Sequence, residues 1–331
     1  TRSNSRSVGM SALSLLRLSD GWSISCSQCA AAYCGEPAEG RTVGRVTVRH
    51  RTQRMSIDAE TGQMTSTTRP DTVVVEEPLE LRVGPTPLTV TMRTPGHDIE
   101  WLHGFLHSEG IIGSRDDIMT ARYCAGAVMD DGTGTEVNTY NVIEVQLAPG
   151  VPDPFEAGLA RSFATSSACG VCGKASIEAL AVRAAYDLNS DTVRVDAATL
   201  LKMPDRLRES QPTFQRTGGL HAAGLFTAQG EPVVVREDVG RHNAVDKVIG
   251  WAMQQGLLPL RGHVLQVSGR VSFELAQKAY LAGIPILSAV SAPSSLAIDT
   301  AYDAGMTVVG FVRGTSLNVY THAERITGSV R

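Results

Sequence analysis

The segment around which the chain is organised is Ser166-Ser167-Ala168-Cys169-Gly170-Val171-Cys172-Gly173-Lys174, which contains the cysteine pair Cys169 and Cys172. An apolar-periodic segment, residues 175–186, follows directly, so both sulfurs are expected on or just before the first turn of a helix. Unpaired backbone N–H groups and the helix dipole stabilise an anion there, and Cys-x-x-Cys sites show depressed thiol pKa values. Because the thiolate is the nucleophile, the stretch is interpreted as an arm that carries reactive sulfur, with Lys174 close enough to help.

Cysteine spacing alone leaves other interpretations open. The pair Cys169 and Cys172 can be half of a zinc site, a redox dithiol, or two thiols of no importance. Three more cysteines, Cys26, Cys29 and Cys34, precede them. No second pair or histidine pair follows these three at zinc-site spacing, so we expect residues 1–42 to be a disordered extension rather than a metal cluster.

Length and composition are those of an ordinary globular protein. The chain has 331 residues, 42% hydrophobic and 19% charged, a length typical of about two domains. The formal charge of -4 and the pI near 6.1 argue against nucleic acid or a membrane surface as a partner. No apolar run approaches the roughly 18 residues that span a bilayer, and six cysteines are too few for a disulfide scaffold. We therefore expect a cytoplasmic protein with reduced thiols.

The first predicted domain, residues 43–150, shows mostly period-two alternation, which indicates a β-rich fold. The expected strands are residues 46–49, 71–76, 79–83, 88–93 and 141–147. The exception is residues 98–108, whose apolar positions fall on one helical face and which Gly110 ends. One clear helix is therefore expected among the strands.

The second predicted domain, residues 151–331, has strands without internal polar residues that alternate with short helices. This pattern indicates a mostly parallel, buried sheet covered on both faces. The expected helices are residues 197–208, 243–255, 272–282 and 294–304, and the expected strands are 222–226, 233–236, 264–267, 286–290 and 307–312. The first two strands are expected to form a hairpin through Gln229-Gly230. The predicted fold class is α/β, or α+β overall.

Three predicted strand ends carry turns rich in hydrogen-bond donors, at the place where open α/β sheets bind ligands. They are Ser268-Gly269-Arg270-Val271-Ser272, Ser291-Ala292-Pro293-Ser294-Ser295 and Arg313-Gly314-Thr315-Ser316. The first two open into helices and suit an anion, and Arg270 and Arg313 can hold a phosphate. Serine, glycine and proline also simply cap helices, but the three ends together favour a nucleotide-bearing ligand.

Two further stretches are rich in polar residues, Thr217-Gly218-Gly219-Leu220-His221 and Arg236-Glu237-Asp238-Val239-Gly240-Arg241-His242-Asn243. In the second, Asp238 and Asn243 can cap the following turns while Arg241 and His242 face a ligand. Equally, the two acids can pair with the arginines beside them. His221 alone is more often a hydrogen-bonded core or loop residue than a catalytic one.

One pattern superficially matches the zinc deaminases. His107-Ser108-Glu109, followed by Cys169-x-x-Cys172, corresponds to their His-x-Glu and Pro-Cys-x-x-Cys motifs. Ala168 stands where that pattern has proline, and the intervening segment is long. Zinc-dependent hydrolysis is therefore the less favoured alternative.

Several motifs, taken together and in this order, resemble the FdhD family of sulfur carriers required for formate dehydrogenase activity. They are Ala168-Cys169-Gly170-Val171-Cys172-Gly173, Gly218-Gly219-Leu220-His221, Glu237-Asp238-Val239-Gly240-Arg241-His242-Asn243-Ala244, Gly310-Phe311-Val312-Arg313-Gly314 and Asn318-Val319-Tyr320-Thr321-His322. The resemblance runs from about residue 43 to the C-terminus and does not cover the N-terminal extension.

The resemblance implies a cytidine-deaminase-like, three-layer α/β C-terminal domain that has lost deaminase chemistry. It also implies a sulfurtransferase that takes sulfur from a cysteine desulfurase as a persulfide on Cys169, with Cys172 assisting transfer or resolving a trapped persulfide. The acceptor is the molybdenum cofactor with two molybdopterin guanine dinucleotides, Mo-bis(molybdopterin guanine dinucleotide). The segment that matches the family's cofactor-binding loop is Phe311, Val312, Arg313, Gly314, Thr315 and Ser316.

The resemblance further implies formate dehydrogenase as the client, a homodimer, and neither a resident metal nor a permanently bound cofactor. A different class of function stays open at this point. A non-catalytic chaperone would bind the nucleotide-bearing cofactor and hand it over without sulfur chemistry.

Overall fold

The computed structural model describes residues 45–124, 128–130, 136–138, 141–156 and 186–328. Residues 1–42, which we predict to be a disordered extension, lie outside these ranges. So do the Cys169–Cys172 pair and the helix predicted to follow it.

The helices of the described ranges are α1 Asp98–Ser108, α2 Ala197–Glu209, α3 Pro212–Thr217, α4 Arg241–Gln254, α5 Phe273–Leu281 and α6 Ser295–Asp303. The strands of the first half are β1 Thr47–Ile57, β2 Met64–Val74, β3 Glu77–Val83, β4 Thr86–Arg93, β5 Ile118–Cys124, β6 Val128–Asp130, β7 Glu136–Asn138 and β8 Val142–Leu147. The strands of the second half are β9 Val195–Asp196, β10 His221–Thr227, β11 Pro232–Asp238, β12 His263–Val267, β13 Ile286–Ala289, β14 Thr307–Arg313, β15 Ser316–Val319 and β16 Ile326–Thr327.

The first half is built on a four-stranded sheet in the order β4-β3-β8-β5. One face of this sheet packs on α1, and burial of each large apolar side chain there contributes about 1.5–3 kcal/mol. The core side chains are Leu79, Leu81, Ile143 and Val145 from the sheet and Trp101, Leu102 and Leu106 from the helix. The predicted β-rich region with one helix is confirmed, although β5 was not among the predicted strands.

Strands β1 and β2 form a separate antiparallel ribbon that is mostly exposed to solvent. Thr47 lies opposite Val74 at its base and Ile57 lies opposite Met64 at its tip. The ribbon is longer than the two predicted strands, because its outer residues are mostly polar and exposed and do not show a sustained apolar alternation.

Helices α1 and α4 cross at backbone contact and connect the two halves. A Cβ added at Gly104 would lie 1.9 Å from the backbone oxygen of Asp246, and one added at Gly250 would lie 1.7 Å from that of Glu100. No side chain fits at either position, so glycine sets the distance between the helices. Because α4 also packs on β10 and β11, the layers follow in the order sheet, α1, α4, sheet.

The second half is a six-stranded sheet in the order β11-β10-β12-β13-β14-β15. Helices α4, α5 and α6 cover one face, and α2 covers the other through Leu200, Met203 and Leu207. This arrangement confirms the predicted three-layer α/β class. The sheet is mixed rather than mostly parallel, because only β12, β13 and β14 run parallel while β10–β11 and β14–β15 are antiparallel hairpins with short turns.

All the described residues belong to one compact unit, Glu36–Arg331. The domain boundary predicted near residue 150 stays a prediction. Each helix in the described ranges is too short or too polar to span a bilayer.

Candidate functional site

A cavity of about 600 Å³ opens between α2 and the carboxyl edge of the six-stranded sheet. Its volume is typical of a site for one small ligand. The residues that line it come from α2 and the turn after it, from residues 218–221, and from the ends of β12, β13 and β14. This cavity is the candidate site.

The cavity lies where the strand-end argument predicts a ligand. Ser268 follows β12, Val290 follows β13, and Arg313 ends β14, and all three line the cavity. The parallel strands bring these ends to one edge of the sheet. Arg270 is exposed and is not among the lining residues. Binding of a phosphate at this edge stays a prediction.

Residues 311–316 turn from β14 into β15, and three of them, Val312, Arg313 and Gly314, line the cavity. Phe311, Thr315 and Ser316 do not. Phe311 has a left-handed backbone with φ 52, a conformation that costs about 1–3 kcal/mol and is common at binding sites. Its N–H donates to the backbone oxygen of Ser291 at 3.2 Å, which ties this turn to the end of β13.

Helix α2 supplies a lining that the sequence interpretation missed. Leu201, Pro204, Asp205 and Arg208 all line the cavity, and they follow the i, i+3, i+4, i+7 spacing of one helical stripe. This stripe lies beside the buried stripe of Leu200, Met203 and Leu207. The spacing was visible in the sequence, but only the structure shows that the second stripe faces a cavity.

Charge in the cavity is mixed. Arg208 and Arg313 supply two cations and Asp205 supplies the one carboxylate of the lining set. The Arg208 guanidinium stacks over Phe214, 5.3 Å from the ring centroid, and that of Arg313 lies 5.5 Å from the centroid of Phe311. Two arginines suit a ligand that carries phosphate, and the aromatic ring suits one with a planar base.

His221 lies at the cavity rim beside Ser268, with its Nδ1 atom 3.5 Å from the Ser268 hydroxyl. Burial lowers the pKa of His221, and the charges of Arg241 and His242 lower it further. The imidazole is therefore neutral near pH 7, so one of its ring nitrogens can donate a hydrogen bond and the other can accept one. This position makes His221 a rim residue, not a core residue.

His242 faces α5 instead of the cavity. Its Nε2 atom lies 3.3 Å from Glu274 Oε2 and 3.3 Å from the Ser272 hydroxyl. The hydrogen bond from His242, more than any other contact, lowers the pKa of Glu274 to about 2. The pair therefore joins the first turns of α4 and α5.

The Asp238 and Asn243 side chains build a buried polar network. Asp238 accepts from Lys247 Nζ at 2.7 Å and from the Gly240 N–H at 2.8 Å, so it caps the turn as predicted. Asn243, which we also expected to cap a turn, instead donates to the Met92 backbone oxygen at 2.8 Å and accepts from Trp101 Nε1 at 3.1 Å. The network therefore fastens the first half of the chain to α4.

The charged residues Arg236 and Glu237, which precede Asp238, pair with groups that are distant in the sequence. Arg236 donates to Glu100 on α1, at 2.5 and 2.7 Å. Glu237 accepts from the backbone N–H groups of Thr213 and Phe214 at the start of α3. The proposed pairing with neighbouring arginines is therefore wrong in its partners, although these residues are structural.

The zinc-deaminase pattern has no support among the described residues. Both ring nitrogens of His107 contact backbone oxygens, of Ile112 at 3.3 Å and of Leu281 at 3.1 Å. The described ranges contain no cluster of three or more His, Cys, Asp or Glu side chains that could hold a metal. Cys169 and Cys172 lie outside those ranges, as do Cys26, Cys29 and Cys34.

Comparison with known proteins gives consistent matches. The model of the FdhD/NarQ family matches residues 74–327. The sulfur carrier protein FdhD of Mycobacterium tuberculosis is 53% identical over 285 residues, which cover 86% of this chain and 100% of that protein. The sulfur carrier protein FdhD of Mycolicibacterium paratuberculosis is 58% identical over 258 residues, which cover 78% of this chain and 93% of that protein.

A solved structure shows the same fold. It is a crystal structure from Desulfotalea psychrophila, assigned provisionally as a formate dehydrogenase accessory protein, with a TM-score of 0.62 and 22% identity. The match covers 86% of this chain and 100% of that one.

Proposed function

The chain belongs to the FdhD/NarQ family, and we propose that it is a sulfur carrier for formate dehydrogenase. It takes sulfur from a cysteine desulfurase as a persulfide on Cys169 and transfers it to Mo-bis(molybdopterin guanine dinucleotide). The observation that carries the proposal is the match, at 53% identity over 285 residues, to a protein named for sulfur carriage.

The sulfur step follows from thiol chemistry. The Cys169 thiolate attacks the terminal sulfur of the donor persulfide, the donor S–S bond breaks, and the donor cysteine leaves as a thiolate. Cys169 then holds the transferred sulfur as a persulfide. Transfer to the acceptor would break this second S–S bond and form a molybdenum–sulfur bond; the terminal sulfur would take the two electrons it needs from the reduced molybdenum centre, and Cys169 would return as a thiolate.

The cavity beside α2 supports the acceptor half of the proposal. Arg208 and Arg313 are two cations on its lining, which suits the diphosphate of a guanine dinucleotide. A volume of about 600 Å³ suits one nucleotide arm. The cofactor has two such arms, so the second needs another cavity, which the proposed homodimer would supply.

The test is mass spectrometry of the full chain after incubation with a cysteine desulfurase and cysteine. We expect a gain of one sulfur atom that a small thiol reverses, since persulfides exchange with thiols. Cys169→Ala should show no gain and should not activate formate dehydrogenase, while Cys124→Ala, in β5, is the matched control that keeps both.

Each other outcome excludes a specific model. Sulfur uptake that persists in Cys169→Ala would remove the proposed role of Cys169. Activation of the client without any sulfur uptake would leave the non-catalytic chaperone. The Cys172→Ala variant distinguishes the two roles proposed for Cys172. If Cys172 assists transfer, the variant should deliver sulfur to the acceptor more slowly. If Cys172 resolves a trapped persulfide, delivery should be unchanged and the persulfide should last longer.

A further inference from the structure

We propose that the ribbon of β1 and β2 is a docking arm that holds the client formate dehydrogenase. Its binding face carries Met55, Ile57 and Met64 at the tip and Arg49 and Arg51 behind them. The inference rests on the proposed function, because it names the surface that holds the client while sulfur is delivered to the cofactor.

The ribbon is a formed arm that extends into solvent. All eleven residues of β1 pair in register with the eleven of β2, which gives a length of about 34 Å at 3.4 Å per residue. At the tip, Asp58 accepts from the backbone N–H groups of Glu60 and Thr61, at 3.0 and 2.8 Å, and closes the turn. The family model begins at residue 74, the last residue of β2, so the rest of the ribbon precedes the matched region.

One face of the ribbon ends in an apolar tip. Directly opposite residues of an antiparallel pair lie on the same face, so Ile57, Met64 and Met55 share one face. They are 72%, 61% and 59% exposed. A single exposed apolar side chain is normal, but three together beside arginines are typical of a protein interface, where methionine and arginine are enriched.

The ribbon is basic although the chain is acidic. Its two strands contain four arginines and one aspartate, a formal charge of +3, whereas the whole chain has -4. Arg49 and Arg51 lie on the face of the apolar tip, and Arg54 and Arg69 lie on the opposite face. All four are exposed, and none forms an ion pair with an acid in the described ranges. Unpaired arginines beside an apolar tip suit an acidic protein surface with an apolar centre.

The base of the ribbon adjoins the cavity beside α2. A Cβ added at Gly219 would lie 3.1 Å from Cγ1 of Val74, the last residue of β2, and Gly218 and Gly219 both line the cavity. A partner held along the ribbon is therefore held close to the proposed cofactor site. The client is the protein that uses that cofactor, whereas the desulfurase supplies only sulfur, so this position favours the client.

The turn at the tip argues against nucleic acid or an anionic membrane as the occupant. Asp58 and Glu60 are exposed there and directly follow the apolar tip on β1. Their carboxylates repel phosphate groups. An acidic protein surface is contacted by the arginines farther along the ribbon and by the apolar side chains between them and the turn.

The experiment measures binding of the full chain to formate dehydrogenase purified from cells that lack the carrier, by surface plasmon resonance at low and high salt. The triple variant Met55→Ser, Ile57→Thr, Met64→Ser should weaken binding by about tenfold to a hundredfold, as loss of interface anchors does. Arg49→Gln combined with Arg51→Gln should slow association, and its difference from the native chain should shrink in high salt.

The opposite face of the ribbon supplies the matched control. Arg54→Gln combined with Arg69→Gln removes the same charge from the same two strands, and at physiological salt it should change the affinity by less than about threefold, because charges on the far face are screened. Every variant should still take one sulfur atom from the desulfurase. Calorimetric titration with GDP, which carries the guanine and diphosphate of the proposed cofactor, should give the native affinity in each, and thermal unfolding establishes that each is folded.

The outcomes separate this inference from the proposed function. Native affinity of the triple variant for the client, or a larger effect of the Arg54 and Arg69 pair than of the Arg49 and Arg51 pair, would overturn the docking arm and leave the sulfur-carrier proposal intact. A native chain that takes up no sulfur would instead overturn the proposed function.

Three further outcomes assign the ribbon to another partner and overturn the inference. In the first, the triple variant binds the client normally but no longer takes sulfur from the desulfurase, which is then the occupant. In the second, the variant changes only the oligomeric state in sedimentation, which assigns the ribbon to a second copy of the chain. In the third, duplex DNA or anionic lipid vesicles displace the client from the native chain.

Discussion

The buried network around Asp238 and the cavity beside α2 use the same kinds of residue in opposite ways. Asp238 is 0% exposed and its carboxylate accepts from Lys247, Asn243 and two backbone N–H groups. Asp205 and Arg313 make no such bonds within the described ranges. A polar group whose bonds are satisfied inside the protein holds the fold, whereas one left without a partner at a cavity is available to a ligand.

The largest expected effect lies in the buried network. Asp238→Ala should lower the free energy of unfolding by about 3–5 kcal/mol, because it leaves the Lys247 ammonium buried without its counter-charge. Urea unfolding at pH 7 measures the loss. The folded variant at low temperature should keep its native affinity for GDP, since Asp238 does not line the cavity.

A double variant sharpens this prediction. Asp238→Ala combined with Lys247→Met should recover part of the lost stability, because the stranded charge is gone. If Asp238→Ala instead weakens GDP binding with no loss of stability, the division between a structural network and a binding cavity is wrong.

The second-largest effect is expected for a substitution in the cavity lining. Arg313→Ala should weaken GDP binding by about tenfold, since a charge-assisted hydrogen bond to phosphate contributes about 1.5–3 kcal/mol at most. Its free energy of unfolding should change by less than about 0.5 kcal/mol, as expected of an exposed side chain. Titration with GDP measures the first and urea unfolding the second.

Arg261→Ala is the control for Arg313, because Arg261 is exposed and is not among the lining residues. It should leave GDP affinity unchanged. An unchanged affinity in Arg313→Ala would mean that this arginine only stacks on Phe311 and that the cavity binds its ligand elsewhere.

The smallest effect lies between the two regions, at the His242–Glu274 pair. The pKa of Glu274 is lowered from 4.5 to about 2, so the folded state favours the carboxylate and the stabilisation is fully present above pH 4.5. It is lost as the pH falls from 4.5 toward 2. Because Glu274 is 40% exposed, solvent screening keeps the contribution below about 1 kcal/mol.

Urea midpoints of the native chain and of Glu274→Gln at pH 7 and pH 3 test this prediction. The difference between them should be larger at pH 7 and should shrink in high salt, which screens exposed pairs. A difference that is the same at both pH values would show that the glutamate acts through packing and not through its charge.

Local sequence was enough for most elements of the fold. Helix α1 has the predicted bounds, residues 98–108, because its apolar periodicity and Gly110 are both local features. The ribbon of β1 and β2 was predicted too short, and β5 was not predicted, since exposed and half-exposed strands lack a clean alternation. The antiparallel hairpin of β10 and β11 is confirmed, because its Gln229-Gly230 turn is a local signal. The antiparallel pairings of β10 with β12 and of β14 with β15 were not predicted, because pairing direction is decided between strands and not within them.

For the site, the sequence identified Ser268 and Arg313 at strand ends, but it did not identify Asp205 or Gln211. Those two residues lie in a helix and a turn whose local pattern resembles any amphipathic segment. They face a cavity whose lining also includes Ser268, Val290 and Arg313, and sequence distance alone does not bring these residues together.

The sequence by itself therefore determined the family, the fold class and the order of most helices and strands, since each depends on local patterns and motifs. Only the tertiary structure decided which polar residues are structural and which are available to a ligand. The physical reason is that a hydrogen bond is satisfied by whatever group folding brings near. Asn243 finds Met92 and Trp101 across the α1–α4 contact, whereas Asp205 finds a cavity.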